Sequence, residues 1–195
     1  MKCQGVIAGL SALLAGGEVL YRACSASENT LRPPGFQNER DFMSRCIKCG
    51  KCIEACPYKC ISAAGFTAGA QSGTPQINPR RQACKLCDGF PCTNVCPTGA
   101  LRNVETSSDV KMGTAVIDYD LCIAVSGMRC EVCYRACPLI DDAITIDYQM
   151  REGDAIHAMF APKINENSCT GCGLCVERCV VSEPEVAIHI ETKKQ

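Results

Sequence analysis

Three short segments with one alternation of apolar and polar positions recur along the chain. They are Thr74-Pro75-Gln76-Ile77-Asn78, Thr114-Ala115-Val116-Ile117-Asp118 and Ala161-Pro162-Lys163-Ile164-Asn165. Each predicts a short strand. A turn and an apolar pair recur further on, in Gly99-Ala100-Leu101, Ala143-Ile144-Thr145-Ile146 and Val186-Ala187-Ile188. Between the two kinds of segment lie stretches such as Glu54-Ala55-Cys56, which predict a short helix stopped by the proline that follows. The repeating unit therefore reads strand, loop, short helix, strand. Residues 65–75 and 105–113 read as connecting loops, and 147–160 as an insertion before the last unit. Residues 25–40 are polar, contain Pro33-Pro34-Gly35 and read as a linker.

The amino end has another pattern. Val6 to Gly17 is a continuous apolar run rich in Gly, Ala and Leu, and Glu18 interrupts its extension to Tyr21. A bilayer span needs about 20 apolar residues. The shorter run at 1–24 reads as an export signal or a membrane-surface anchor, although only Met1-Lys2-Cys3 precedes it. A buried helix or a frayed tail is the alternative.

Composition narrows the class. The chain has 195 residues, 19 of them Cys, and no Trp. So few aromatics leave little with which to build a large conventional core. Disulfides, zinc or iron–sulfur clusters must staple the fold. The net charge is −1, so no global basic field draws nucleic acid, and nucleic-acid binding is set aside.

The cysteines fall into four motifs. The first is Cys46-x2-Cys49-x2-Cys52-x3-Cys56-Pro57. The second is Cys84-x2-Cys87-x4-Cys92-x3-Cys96-Pro97. The third is Cys122-x7-Cys130-x2-Cys133-x3-Cys137-Pro138. The fourth is Cys169-x2-Cys172-x2-Cys175-x3-Cys179, followed by Val180. Three closely spaced thiolates wrap three corners of one cubane. The fourth Cys leaves on the helix and serves the other cluster of a pair, as in two-cluster ferredoxins. Gly50, Gly171 and Gly173 stand where tight ligand loops need positive φ. Structural zinc sites do not need a third Cys two residues on. A disulfide framework would force strained local bridges and leaves an odd Cys. The spacing thus points to four [4Fe–4S] clusters on these sixteen cysteines.

The first and fourth motifs share the x2, x2, x3 spacing, whereas the second and third depart from it. This favours a nested pairing, with an outer unit of 41–66 with 161–195 and an inner unit of 74–148. The ligand sets would then be Cys46, Cys49, Cys52 with Cys179; Cys169, Cys172, Cys175 with Cys56; Cys84, Cys87, Cys92 with Cys137; and Cys122, Cys130, Cys133 with Cys96. Sequential pairing, first with second, is the alternative. The fold class expected is α+β: a four-cluster region over 41–195 made of two ferredoxin-like double-cluster units, with little regular secondary structure.

With these motifs, the phrases Leu31-Arg32-Pro33-Pro34-Gly35, Cys46-Ile47-Lys48-Cys49-Gly50-Lys51-Cys52, Cys96-Pro97-Thr98-Gly99-Ala100-Leu101 and Gly127-Met128-Arg129-Cys130-Glu131-Val132-Cys133-Tyr134-Arg135-Ala136-Cys137-Pro138-Leu139-Ile140-Asp141 resemble the NapG/MauM group of ferredoxin-type proteins. The resemblance runs from Leu31 to Ile190. It implies a periplasmic electron-transfer subunit, exported folded and working at the cytoplasmic membrane. Its implied donor is a membrane-bound, quinol-oxidising NapH-like ferredoxin, and its implied acceptor is the periplasmic nitrate reductase or its cytochromes. The methylamine-utilisation members imply an alternative role, supplying electrons for cofactor assembly. The resemblance also implies a twin arginine before the apolar run. Only Lys2 stands there, and Arg80-Arg81 lies within the cysteine-rich region. The expectation is that Met1 is an internal start, with a cytoplasmic or uncleaved form as the alternative.

No Gly-rich phosphate loop, nucleophile–base pair, flavin signature or molybdenum signature is present, so no catalytic residue is assigned. A non-catalytic component of a quinol dehydrogenase and nitrate reductase system is expected. Cys60 reads as a small buried hydrophobe, with a spare ligand as the alternative. Cys24 has a poor context for lipidation, and Cys3 carries no reading. His157 and His189 read as surface or structural groups. Lys48, Lys51, Lys85, Arg129 and Arg135 flank the ligands. They read as solvated loop positions, the alternative being charges that offset the clusters or attract an acidic partner.

Overall fold

The computed structural model describes residues 30–150, 153 and 158–192. The apolar run of residues 1–24, Cys24 and His157 lie outside them. Among the described residues, five short α-helices lie at Glu39–Arg45 (α1), Lys51–Ala55 (α2), Pro91–Asn94 (α3), Val132–Ala136 (α4) and Leu174–Arg178 (α5). Six strands lie among them at Ile61–Ala63 (β1), Pro75–Ile77 (β2), Thr114–Ile117 (β3), Ile144–Met150 (β4), Ala158–Ile164 (β5) and Ile188–Glu191 (β6). Regular structure is sparse, as the sequence predicts. Helices α2 to α5 each stop one or two residues before the last Cys of a motif. Among the described residues, no helix is long and apolar enough to cross a membrane.

The strands form three antiparallel pairs: β1 with β2, β3 with β6, and β4 with β5. Their registers run Ile61↔Ile77, Ile117↔Ile188 and Ile144↔Ile164. In each case a strand that follows a motif's last Cys meets one that precedes another motif's first Cys. The third and fourth motifs are joined by two such pairs, β3–β6 and β4–β5. The first and second motifs are joined by β1–β2 and by a single bond, Arg102 N–H to the Gly35 carbonyl at 3.0 Å. The segment Gly99-Ala100-Leu101 therefore forms no strand. Its Ala100 and Leu101 instead pack against Phe42 in a small core of their own.

Two other expectations need correction. The linker reading of 25–40 fails from residue 30 onward. Leu31 bridges to Ile77, Pro33 and Pro34 are fully buried, and Arg32 is 0 % exposed. The Arg32 guanidinium donates to Thr74 Oγ1 at 2.8 Å, to the Pro75 carbonyl at 2.9 Å and to the Glu39 carboxylate. It also lies 4.7 Å over the Phe42 ring. A polar composition hid an anchor whose charge is fully paired. Within the insertion at 147–160, residues 147–150 and 158–160 likewise prove to belong to the paired strands β4 and β5. Its Phe160 stacks edge-on against Tyr148.

A small residue followed by a branched aliphatic recurs after every motif: Cys60-Ile61, Ala100-Leu101, Ala143-Ile144 and Ala187-Ile188. All eight are buried. Much of the larger core is made of the cysteines themselves.

Candidate metal centres

The tight loops form as their glycines require. Gly50 and Gly173, with φ of 76° and 84°, cap the helices α2 and α5. Gly171 has a φ of 70° and stands against Gly113, where an added Cβ would meet the backbone nitrogen at 2.5 Å. These left-handed turns fold the x2 spacing back on itself, so that three thiols face one side. The longer x7 spacing of the third motif is absorbed by an extra turn. Val125 and Ser126 N–H donate to the Cys122 carbonyl, and Met128 N–H donates to the Ile123 carbonyl.

Four thiols line each of three cavities. Cys46, Cys49 and Cys52 share one with Cys96. Cys122, Cys130 and Cys133 share one with Cys179. Cys169, Cys172 and Cys175 share one with Cys137. Cys84, Cys87 and Cys92 are joined by Cys56, whose charge acts on both Cys87 and Cys92. These are called the first, third, fourth and second sites, after the motif that gives three thiols.

The nested pairing is thereby corrected. Cys96 and Cys179 are exchanged relative to it, as are Cys56 and Cys137, and the units are sequential: first motif with second, third with fourth. Equal spacing does not imply partnership. The strand that leaves one motif is hydrogen-bonded to the strand entering its partner, and helices α2 with α3 and α4 with α5 pack as pairs.

The sites stand in a row. Cys52 lies near enough to Cys92 for its charge to act there, linking first to second. Cys84 N–H donates to the Cys172 carbonyl at 3.0 Å, linking second to fourth. The charge of Cys133 acts on Cys175, linking fourth to third. The order is first, second, fourth, third. Burial follows it: the buried ligand-motif thiols, Cys56, Cys84, Cys92 and Cys172, all belong to the two inner sites.

All cysteines from Cys46 to Cys179 are free thiols. Burial, reinforced by neighbouring thiols, pushes Cys52, Cys133 and Cys172 up to about 11 and Cys92 up to about 12. Burial likewise drives Cys175 well above its ordinary range. Such crowded thiols ionise when a cationic group joins them, with release of protons. The loops also supply donors. Burial acts upward on Cys96, but the N–H groups of Leu101, Thr98 and Ala100 and the Thr98 hydroxyl hold it below its ordinary value. Ala115 N–H donates to Cys169 Sγ at 3.5 Å. Four soft donors with convergent N–H groups at each site, and an aliphatic wall around the three cavities, fit a cubane cluster.

The flanking cations divide. Lys85 is bound to both Glu177 oxygens at 2.8 and 2.9 Å, and Arg129 and Arg135 both pair with Glu131. Lys48 and Lys51 are exposed, as that reading expects. His189 is a half-exposed strand residue 3.6 Å from Glu191. Cys60 is buried as expected, but in the wall of a site, with its Sγ 3.4 Å from Cys56 Sγ. The signal for this lay in the repeat, where Cys60 takes the place of Ala100, Ala143 and Ala187.

Paired four-thiol sites of this kind define the double-cluster ferredoxins, which bind [4Fe–4S] clusters and carry electrons. The chain belongs to the 4Fe-4S dicluster domain family, which it matches twice, at residues 45–100 and 126–182. It is 41 % identical to the ferredoxin-type protein NapG of Escherichia coli over 92 % of this chain and 79 % of that protein. NapG of Haemophilus influenzae is 38 % identical, over 96 % of this chain and 67 % of that protein. The methylamine utilization ferredoxin-type protein MauM of Paracoccus denitrificans is 37 % identical, over 85 % of this chain and 74 % of that protein.

Proposed function

We propose that the sixteen motif cysteines hold four [4Fe–4S] clusters, and that the protein carries electrons from a membrane-bound, NapH-like quinol-oxidising partner towards the periplasmic nitrate reductase or its cytochromes. The observation that carries this reading is the row of four sites, each with three thiols from one motif and one from its partner. Each cluster, when bound, changes by one electron. The chain's own part is to hold the thiolates, exclude water from the two inner sites and aim N–H groups at the sulfurs, which tunes the potentials. The likeness to NapG supports the nitrate branch and a place on the periplasmic side of the cytoplasmic membrane.

The test is quinol-driven nitrate reduction in cells lacking the gene, against a complemented control. The expected result is a clear fall in rate while the reductase stays active with an artificial donor. The MauM relatives favour a second reading, supply of electrons for cofactor assembly in another enzyme. Under it the reductase would lose activity even with the artificial donor, or the nitrate rate would stand unchanged.

A further inference from the structure

The two ends of the row differ in charge and exposure. Among the sixteen motif thiols only Cys49, in the first site, is exposed. Its loop, Arg45-Cys46-Ile47-Lys48-Cys49-Gly50-Lys51-Cys52, carries three cations and no acid. Ile47, Lys48 and Lys51 all line the first cavity, and Ile47 is 64 % exposed. Arg45 is neutralised by Asp41 at 2.8 Å. Lys48 Nζ reaches only the Ala70 carbonyl, at 3.2 Å. Neither Lys48 nor Lys51 forms an ion pair among the described residues, whereas Lys85, Arg129 and Arg135, beside the second and third sites, do. At the opposite end, the third site is bordered by exposed Asp118, Asp120, Glu183 and Glu185.

We infer that the first-site loop is the docking port for an acidic redox protein, with Ile47 as the apolar contact and Lys48 and Lys51 as the charged rim. This rests on the reading that the first site holds a cluster. An exposed apolar side chain beside uncompensated charge is the make-up of a transient interface. Opposite charge on the partner speeds encounter and orients it. The thiol nearest solvent lies within that rim, so a partner seated there approaches the end of the row by the shortest path. An anionic membrane is the weaker occupant, because recognition of lipid headgroups takes clusters of about four to eight basic residues.

The experiment uses the cluster-loaded protein, reduced, with the acidic haem protein cytochrome b5 as probe acceptor and the basic cytochrome c as control, mixed by stopped flow. Iron content and midpoint potentials are measured first. Their equality in variant and parent separates a failed port from a failed cluster assignment. The rate to cytochrome b5 is expected to fall with rising salt. It is expected to drop about tenfold at low ionic strength in Lys48→Glu/Lys51→Glu, and by a smaller factor in Lys51→Glu alone. The rate to cytochrome c should not fall. The variant Asp120→Asn/Glu185→Gln, at the far end, should leave the cytochrome b5 rate within twofold. An unchanged cytochrome b5 rate in both lysine variants overturns the port. So does lysine-dependent binding to phosphatidylglycerol vesicles without any effect on that rate, which would assign the surface to a membrane.

Discussion

The Sγ atoms of Cys56 and Cys60 lie 3.4 Å apart, and Cys60 fills the wall position that is Ala100, Ala143 and Ala187 at the other three sites. Those three alanines each line the cavity served by the Cys four, six or eight residues before them. By the same rule Cys60 walls the second site. Its hydrogen bond to Cys84, then burial, drive the Cys60 thiol up, while that bond draws Cys84 down. With Cys56 and Cys84 given to the second cluster as thiolates, Cys60 is the thiol that keeps its proton and donates to them. An S–H bond to a ligand sulfur stabilises its negative charge, and reduction with it. In Cys60→Ala the iron content should be kept, and one of the four potentials should move lower while the others stay. Redox titration followed by electron paramagnetic resonance reads this. Loss of one cluster would instead make Cys60 a ligand.

Sequential pairing has a direct genetic signature. Cys46→Ser and Cys96→Ser strike one site, so the double variant should lose no more clusters than either single. In Cys46→Ser/Cys179→Ser two sites are struck, and the losses should add. Iron determination with spin counting on anaerobically purified protein decides between them.

Two glycines separate backbone strain from crowding. At Gly50 an added Cβ meets nothing within 4 Å, so Gly50→Ala carries only the cost of its positive φ, about 1 kcal/mol. At Gly171 the Cβ would also strike the Gly113 backbone at 2.5 Å. Gly171→Ala should cost roughly 2–5 kcal/mol and loosen the fourth site first. Denaturant unfolding, followed at the cluster absorbance, gives both values.

Arg32 and Glu39 fasten the segment before the first motif. Glu39→Ala leaves the fully buried guanidinium without its carboxylate. Because Glu39 is itself 40 % exposed, the cost should lie at the low end for a broken buried pair, about 3 kcal/mol. Thermal unfolding of parent and variant under anaerobic conditions checks it.

Much of this protein is written in local sequence. The three-thiol loops, their positive-φ glycines, the helices that stop near each last Cys and the entry strands at Pro75–Ile77, Thr114–Ile117 and Ala158–Ile164 all follow from short-range rules of spacing and backbone geometry. The membership of Cys46, Cys49 and Cys52 in one site was legible for the same reason. Which distant Cys completes each site was not. Cys96 and Cys179 both sit at the end of a short helix and look alike from their neighbours. Only the pairing of strands and of helices puts Cys96 at the first site and Cys179 at the third. The burial of Arg32, inside a segment that reads as linker, is likewise tertiary, because a polar side chain becomes core only when distant partners such as Thr74 and Pro75 satisfy it. Sequence fixes what each loop can bind; the packing of one unit on another decides which thiols share a cavity and the order in which the cavities stand.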